Sequence, residues 1–290
     1  MERAALVALL RLGRGEPADW ARQLEHEGGV LALLHRELSE SEGQGTLLAE
    51  DPEPLLRQAQ ADIDGWSAEG LRLLTVLDAD YPQNLREVHN RPPLLFTAGS
   101  LGPEDERSLA VIGSRQASTA GLAAAAQMAE ALVAAGFVVV SGLARGIDTT
   151  AHKAALAAGG RTLAVVGAGL RRCYPPENEG LQRRIAVTGA VISQFWPEAP
   201  PSRHSFPSRN AVMSGIARGT VIIEASVRSG ARVQARLALA QGRPVFLARA
   251  LLTQDWAAEL AQRTGVHIFD DPRRVIDIVR RLDATDALVE

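Results

Sequence analysis

The 290-residue sequence has one cysteine, one lysine and few aromatic side chains: four Trp, two Tyr and six Phe. The lone Cys173 excludes an internal disulfide, and no Cys/His cluster at ligand spacing marks structural zinc. No stretch reaches the roughly 18 consecutive apolar residues of a membrane span. The start, Met1-Glu2-Arg3-Ala4, lacks the basic residues and long apolar run of a secretory leader. A cytoplasmic protein without membrane contact, metal or cofactor is expected. Hydrophobic residues at 46% and charged residues at 22% describe a folded globular chain, long enough for two domains.

The net charge of -3 conceals an uneven distribution. Residues 1–99 carry nine Arg against 17 Asp and Glu, a net -8; residues 100–250 carry 16 Arg and Lys153 against nine acids, a net +8; residues 251–290 return to -3. A basic centre between acidic flanks suits a polyanionic partner. An Arg-rich composition, with 30 of the 31 basic residues Arg, accounts for the same excess.

Residues 1–75 read as a small helical module. Leu6, Leu9, Leu10 and Leu12, and then Val30, Leu31, Leu33 and Leu34, form apolar stripes at helical spacing. Residues 76–100, with Asp80-Tyr81-Pro82, Pro92-Pro93 and the run Leu94-Leu95-Phe96, read as a connector leading into an edge strand. From 101 to 290 short apolar runs at 109–112, 137–140, 162–166, 189–192, 220–223 and 244–247 predict strands, and 266–269 a further one. Helix-length segments lie between them: 117–134, 147–158, 179–186, 211–217, 232–240 and finally 272–282. The alternation predicts an α/β fold, a Rossmann-like, doubly wound parallel sheet with both faces covered.

Ligands of such sheets bind beyond the carboxyl ends of the strands, so the loops there carry the functional reading. Gly113-Ser114-Arg115 offers backbone N–H groups and a guanidinium to a phosphate, with Ser118 or Thr119 placed to cap the next helix. Ser141-Gly142-Leu143-Ala144-Arg145-Gly146-Ile147-Asp148 is a second candidate anion nest, in which Asp148 and His152 read as a structural i,i+4 contact. Gly167-Ala168-Gly169-Leu170-Arg171-Arg172-Cys173-Tyr174 fails the dinucleotide pattern because Arg172 stands where the third glycine belongs. Its Arg171, Arg172 and Tyr174 suit a stacked base and its phosphate, though Tyr174 equally fits a packed loop anchor. Cys173 reads as inert. Phe206 and Arg209 form a further stacking and charge pair. Glu224 fits a carboxylate that orders backbone N–H groups. Without a nucleophile and its base, the set describes a binding surface with no catalytic residues.

Taken in order, these loops resemble those of the DNA-processing protein A family (DprA, also called Smf). The resemblance rests on Gly113-Ser114-Arg115, on 141–148 with Ala151-His152, and on 167–170 with Tyr174-Pro175 and Asn178. Phe206-Pro207 with Arg209-Asn210, Glu224-Ala225 and Ser229-Gly230 complete it, preceded by the lead-in Asp80-Tyr81-Pro82. It implies an extended Rossmann domain that binds single-stranded DNA without catalysis, preceded by a sterile-alpha-motif-like helical domain. It also implies a homodimer that protects incoming strands in natural transformation. Such a dimer loads the RecA recombinase where single-stranded DNA-binding protein covers them. On this reading Arg115, Arg145, Lys153, Arg171, Arg172 and Arg209 meet phosphates, and Tyr174 or Phe206 stacks on bases. Gly113, Gly142, Gly146, Gly169 and Gly230 let the backbone close on the strand, and Ser114, Asn178, Asn210 and Ser229 complete the site. The chain departs from the family pattern at Gln194, Ala211, Ala231 and Gln234, the last standing where the family has Thr. Many members also carry a C-terminal winged-helix-like domain, for which the residues after Leu282 are too few, so the chain reads as either a shorter member or a truncated one. The rival reading is a phosphoribohydrolase-like nucleotide-processing enzyme on a related fold, whose Pro-Gly-Gly-x-Gly-Thr loop the run Ser229-Gly230-Ala231-Arg232 does not match.

Overall fold

A computed structural model describes residues 1–13, 17–26, 29–40, 51–227 and 229–286. Four helices open the chain: α1 (Glu2–Arg11), α2 (Pro17–His26), α3 (Val30–Glu40) and α4 (Glu53–Ala68). The apolar stripes read from the sequence are their buried faces, with Leu6, Leu9, Leu33 and Leu34 fully enclosed. The chain then enters the sheet earlier than expected. Leu71–Thr75 is a strand, β1, and its Leu71, Leu73 and Leu74 are buried. A short helix, α5 (Gln83–Arg86), leads to β2 (Leu94–Gly99), which is therefore an inner strand and not the edge.

The remaining elements alternate: β3 (Ser108–Ile112), α6 (Thr119–Ala134), β4 (Val138–Ser141), α7 (Ile147–Ala157), β5 (Thr162–Val165), α8 (Glu179–Thr188), β6 (Ala190–Ser193), α9 (Ser205–Ile216), β7 (Thr220–Ile222), α10 (Gly230–Ala240), β8 (Val245–Ala248), α11 (Asp255–Leu260), β9 (Val266–Phe269) and α12 (Pro272–Asp286). The nine-stranded sheet runs β1-β2-β6-β5-β4-β3-β7-β8-β9. Pairing is parallel from β6 through to β9, as the sequence predicts. It is antiparallel between β1 and β2 and between β2 and β6. The exception follows from topology, since the connector brings β1 and β2 to one margin without a crossover helix.

The pleat divides the core. Leu109 and Val111 of β3 point into a cluster with α6, α7 and α12, while Ala110 and Ile112 point into the larger cluster that reaches the N-terminal helices. Covered on both faces, β3 is buried at every position, which explains the continuous apolar runs. Helix α9 begins six residues before the expected 211. Pro207 lies in its first turn, where the missing N–H leaves no hydrogen bond unmade. Phe206, Arg209 and Asn210 are thus helical and not loop residues. The chain runs β3 to β6 on one side of β3 and β7 to β9 on the other, so the crevice of the doubly wound fold opens at the β3 and β7 carboxyl ends.

Candidate nucleic-acid interface

A cleft of about 630 Å³ opens at that position. The loop after β3 supplies Gly113, Ser114 and Arg115, the loop after β4 Gly142 and Arg145, and the loop after β5 Arg172 and Tyr174. Phe206, Arg209 and Asn210 reach it from α9, and Ser229 and Gly230 from the start of α10. Capping fixes the neighbouring helices. Ser118 Oγ accepts from the Gly121 N–H at the start of α6, and Ser229 Oγ accepts from the Ala231 N–H at the start of α10. Glu224 joins the first and last of these loops, accepting from the Ser118 N–H at 3.0 Å and from its hydroxyl at 2.5 Å. That is the ordering role expected of it.

The guanidiniums differ in how they are held. Arg115 is exposed and lies 5.0 Å over the Phe206 ring, whose neighbour Tyr174 is 6.0 Å away between centroids. Tyr174 is 45% exposed, so its ring is available at the cleft mouth. Arg145 pairs with Glu177 on the rim. Arg172 donates from Nε to the Glu198 carbonyl at 2.7 Å. Arg209 is buried and donates from Nη1 to the Val165 carbonyl at 2.9 Å, with no partner for its Nε among the described residues. Burial pulls Arg209 below the usual arginine range against the opposing field of Asp148. The same burial pushes the Asp148 carboxyl up, opposed by Arg209.

Other sequence candidates stand outside the cleft lining. Gly146 adopts φ +73°, and a Cβ there would meet the Ser114 carbonyl at 2.3 Å, so it braces the first loop from behind. Gly169 presses on backbone in the same way, against the carbonyls of Trp196 and Pro197. Asn178 is buried and donates to the Leu143 carbonyl and the Thr149 hydroxyl, both at 2.8 Å, which holds two loops together. Lys153 is exposed on α7 and is not among the residues that line the cleft. Arg171 is turned outward onto Glu69 and Glu198.

The expected Asp148–His152 contact does not form. Asp148 accepts instead from the N–H groups of Gly142 and Ala144 at 3.2 and 3.4 Å, across the turn before its helix. His152 lies 2.7 Å from the Thr162 hydroxyl through Nδ1. That hydroxyl donates to the Val139 carbonyl, so the imidazole carries its proton on Nδ1. Cys173 is half-buried, and burial pushes its thiol up, away from nucleophilic character. One cleft residue escaped the functional reading. Gln234 is the polar member of the buried stripe Ala231, Gln234, Ala235, Ala238 on α10, a pattern that was available as a signal.

The model of the DNA recombination-mediator protein A family matches residues 72–269, which covers β1 through β9 and every loop of the cleft. The chain belongs to this family. It is 41% identical over 172 residues to DNA processing protein DprA of Streptococcus pneumoniae, covering 59% of this chain and 61% of that protein. It is 41% identical over 167 residues to protein Smf of Escherichia coli, covering 57% and 45% respectively. The chain thus matches about half to three-fifths of the length of these curated family members. Among solved structures, DNA processing protein A of S. pneumoniae superposes with a TM-score of 0.67 at 29% identity over 96% of this chain and 93% of that one. DNA processing protein A of Helicobacter pylori, described with its single-stranded DNA binding mode, shares the fold with a TM-score of 0.65 at 24% identity, covering 73% and 96%. Among the described residues no group of His, Cys, Asp and Glu is placed to hold a metal ion. None of their helices is long and apolar enough to cross a membrane.

Proposed function

We propose that the chain binds single-stranded DNA in the cleft and acts as a recombination mediator without catalysing a reaction. The observation that carries the reading is the grouping of exposed Arg115, Arg145 and Arg172 around the adjoining rings of Phe206 and Tyr174. Guanidiniums neutralise phosphates along a strand, and aromatic faces take unpaired bases. A duplex keeps its base faces stacked on one another, out of reach of such rings. Family membership supports the same reading, as does the binding mode described for the H. pylori protein.

Within this reading the protein protects incoming strands and loads the RecA recombinase where single-stranded DNA-binding protein covers them. A homodimer is part of the proposal. The outer margin of β9, with Val266, His267 and Ile268 half-buried, supports pairing with a second copy. Fluorescence anisotropy with labelled single-stranded and duplex oligonucleotides at several salt concentrations tests the binding. Single-strand preference with affinity falling as salt rises is expected. Equal binding of both forms overturns the stacking element, and no binding at low salt overturns the reading. RecA filament formation on coated strands, with and without the protein, tests loading.

A further inference from the structure

We propose that Gln234 reads the Watson–Crick edge of one nucleobase seated in the cleft, so that this chain requires a base there while accepting any of the four. The inference rests on the proposed binding of a single strand in that cleft. Gln234 lines the cleft from α10 and is fully buried, yet neither its Oε1 nor its Nε2 has a hydrogen-bond partner among the described residues. A buried amide normally finds partners for both atoms, because a donor and an acceptor left unmade are costly in a protein interior. The Nε of Arg209, in the same wall, is unpartnered as well. Two buried polar groups on residues that line the cleft thus have hydrogen-bonding capacity unfilled.

The amide discriminates between ligand chemistries. A phosphate satisfies Nε2 but sets a second acceptor against Oε1. A nucleobase offers what the amide lacks, a donor beside an acceptor on one edge, on a flat apolar ring that stacks on Phe206. Adenine presents its N6 amino group beside N1, cytosine its N4 amino group beside N3, guanine O6 beside N1–H, and thymine O4 beside N3–H. The order of donor and acceptor differs among them, but a primary amide reverses its own order by turning over about its last bond. Gln234 therefore suits all four edges. A carboxylate in its place accepts only, and guanine alone offers two adjacent donors, N1–H and the N2 amino group.

The test uses the full chain and three labelled oligonucleotides of equal length: oligothymidine, the same strand with guanine at every third position, and a strand of abasic residues. Anisotropy titrations with the wild type, Gln234→Glu and Gln234→Leu read affinity ratios, which cancel the general effect of an added charge. The wild type is expected to bind the two base-bearing strands alike and the abasic strand about tenfold more weakly. Gln234→Glu moves the guanine-to-thymine ratio about fivefold toward guanine. Gln234→Leu shrinks the gap between base-bearing and abasic strands about threefold, leaving the part due to stacking. If Gln234→Glu does not fold, as its thermal melt will report, Gln234→Leu decides alone. Wild-type ratios in the folded variants overturn the proposal and assign the amide to trapped water. Failure of the wild type to bind any strand overturns the cleft reading itself, together with this one.

Discussion

Arg171, in the loop after β5, is clasped by Glu69 at the end of α4. Its Nε lies 2.8 Å from Oε2 and its Nη2 2.6 Å from Oε1. The hydrogen bond from Arg171 holds the Glu69 carboxyl below the usual carboxylate range. The clasp joins the acidic N-terminal helices to the rim of the basic cleft, one residue from Arg172. It withholds a guanidinium from any strand lying there. Glu69→Gln is expected to raise single-strand affinity at low salt about two- to fivefold and to steepen its salt dependence. Titrations at two salt concentrations measure both. An unchanged isotherm places Arg171 beyond the strand's reach.

Gly146 supports the cleft through its backbone alone. At φ +73° and ψ -122° it occupies a region that residues with a side chain rarely adopt, and a Cβ would strike the Ser114 carbonyl. Gly146→Ala should destabilise the fold by about 1–3 kcal/mol in urea unfolding. Strand affinity should fall too, since Ser114 and Arg115 must move. Wild-type values in both assays would show that the loop yields without consequence.

His152 should make stability fall in mild acid. Burial lowers its pKa to about 3, from an ordinary value near 6.5. The unfolded chain therefore binds a proton that the folded chain refuses between those values. The stability from neutral His152 is complete above pH 6.5 and is lost as pH falls through that window, by at most about 1.4 kcal/mol per pH unit. Asp148, raised by burial, acts with the opposite sign: its contribution is present below the unfolded carboxylate value and lost as pH rises through the folded one. Comparing the wild type with His152→Gln cancels the Asp148 contribution. The urea midpoint of the variant is expected to depend less on pH between 4.5 and 7 than that of the wild type. Parallel profiles would contradict a buried neutral imidazole.

Much of the parallel sheet is legible because a strand covered on both faces has to be apolar throughout; Ser108–Ile112 and Val138–Ser141 read directly. Leu71–Thr75 does not, since it follows a helix after two residues and joins the sheet through the distant partners Leu94 to Ala98. The cleft loops are legible as Gly, Ser and Arg at strand ends. What each arginine does is not, because that depends on Glu69, Glu177 and Glu198, which only the fold brings near. The same holds where Trp66 of α4 meets Phe96 at 4.9 Å and Trp196 at 5.9 Å, with Arg11 lying 5.3 Å over the latter ring. Asp148 and His152 stand at helical spacing, but Thr162 and the turn N–H groups compete for them and win.

Arg115 is the exposed guanidinium stacked on Phe206 in the cleft, so its removal tests the binding account most directly. The measurement is single-strand affinity against salt concentration for the wild type and Arg115→Ala. Weaker binding is expected on every sequence tried, with a log–log salt slope shallower by about one, the loss of a single phosphate contact. Identical affinity and slope would contradict it and move the strand away from the cleft.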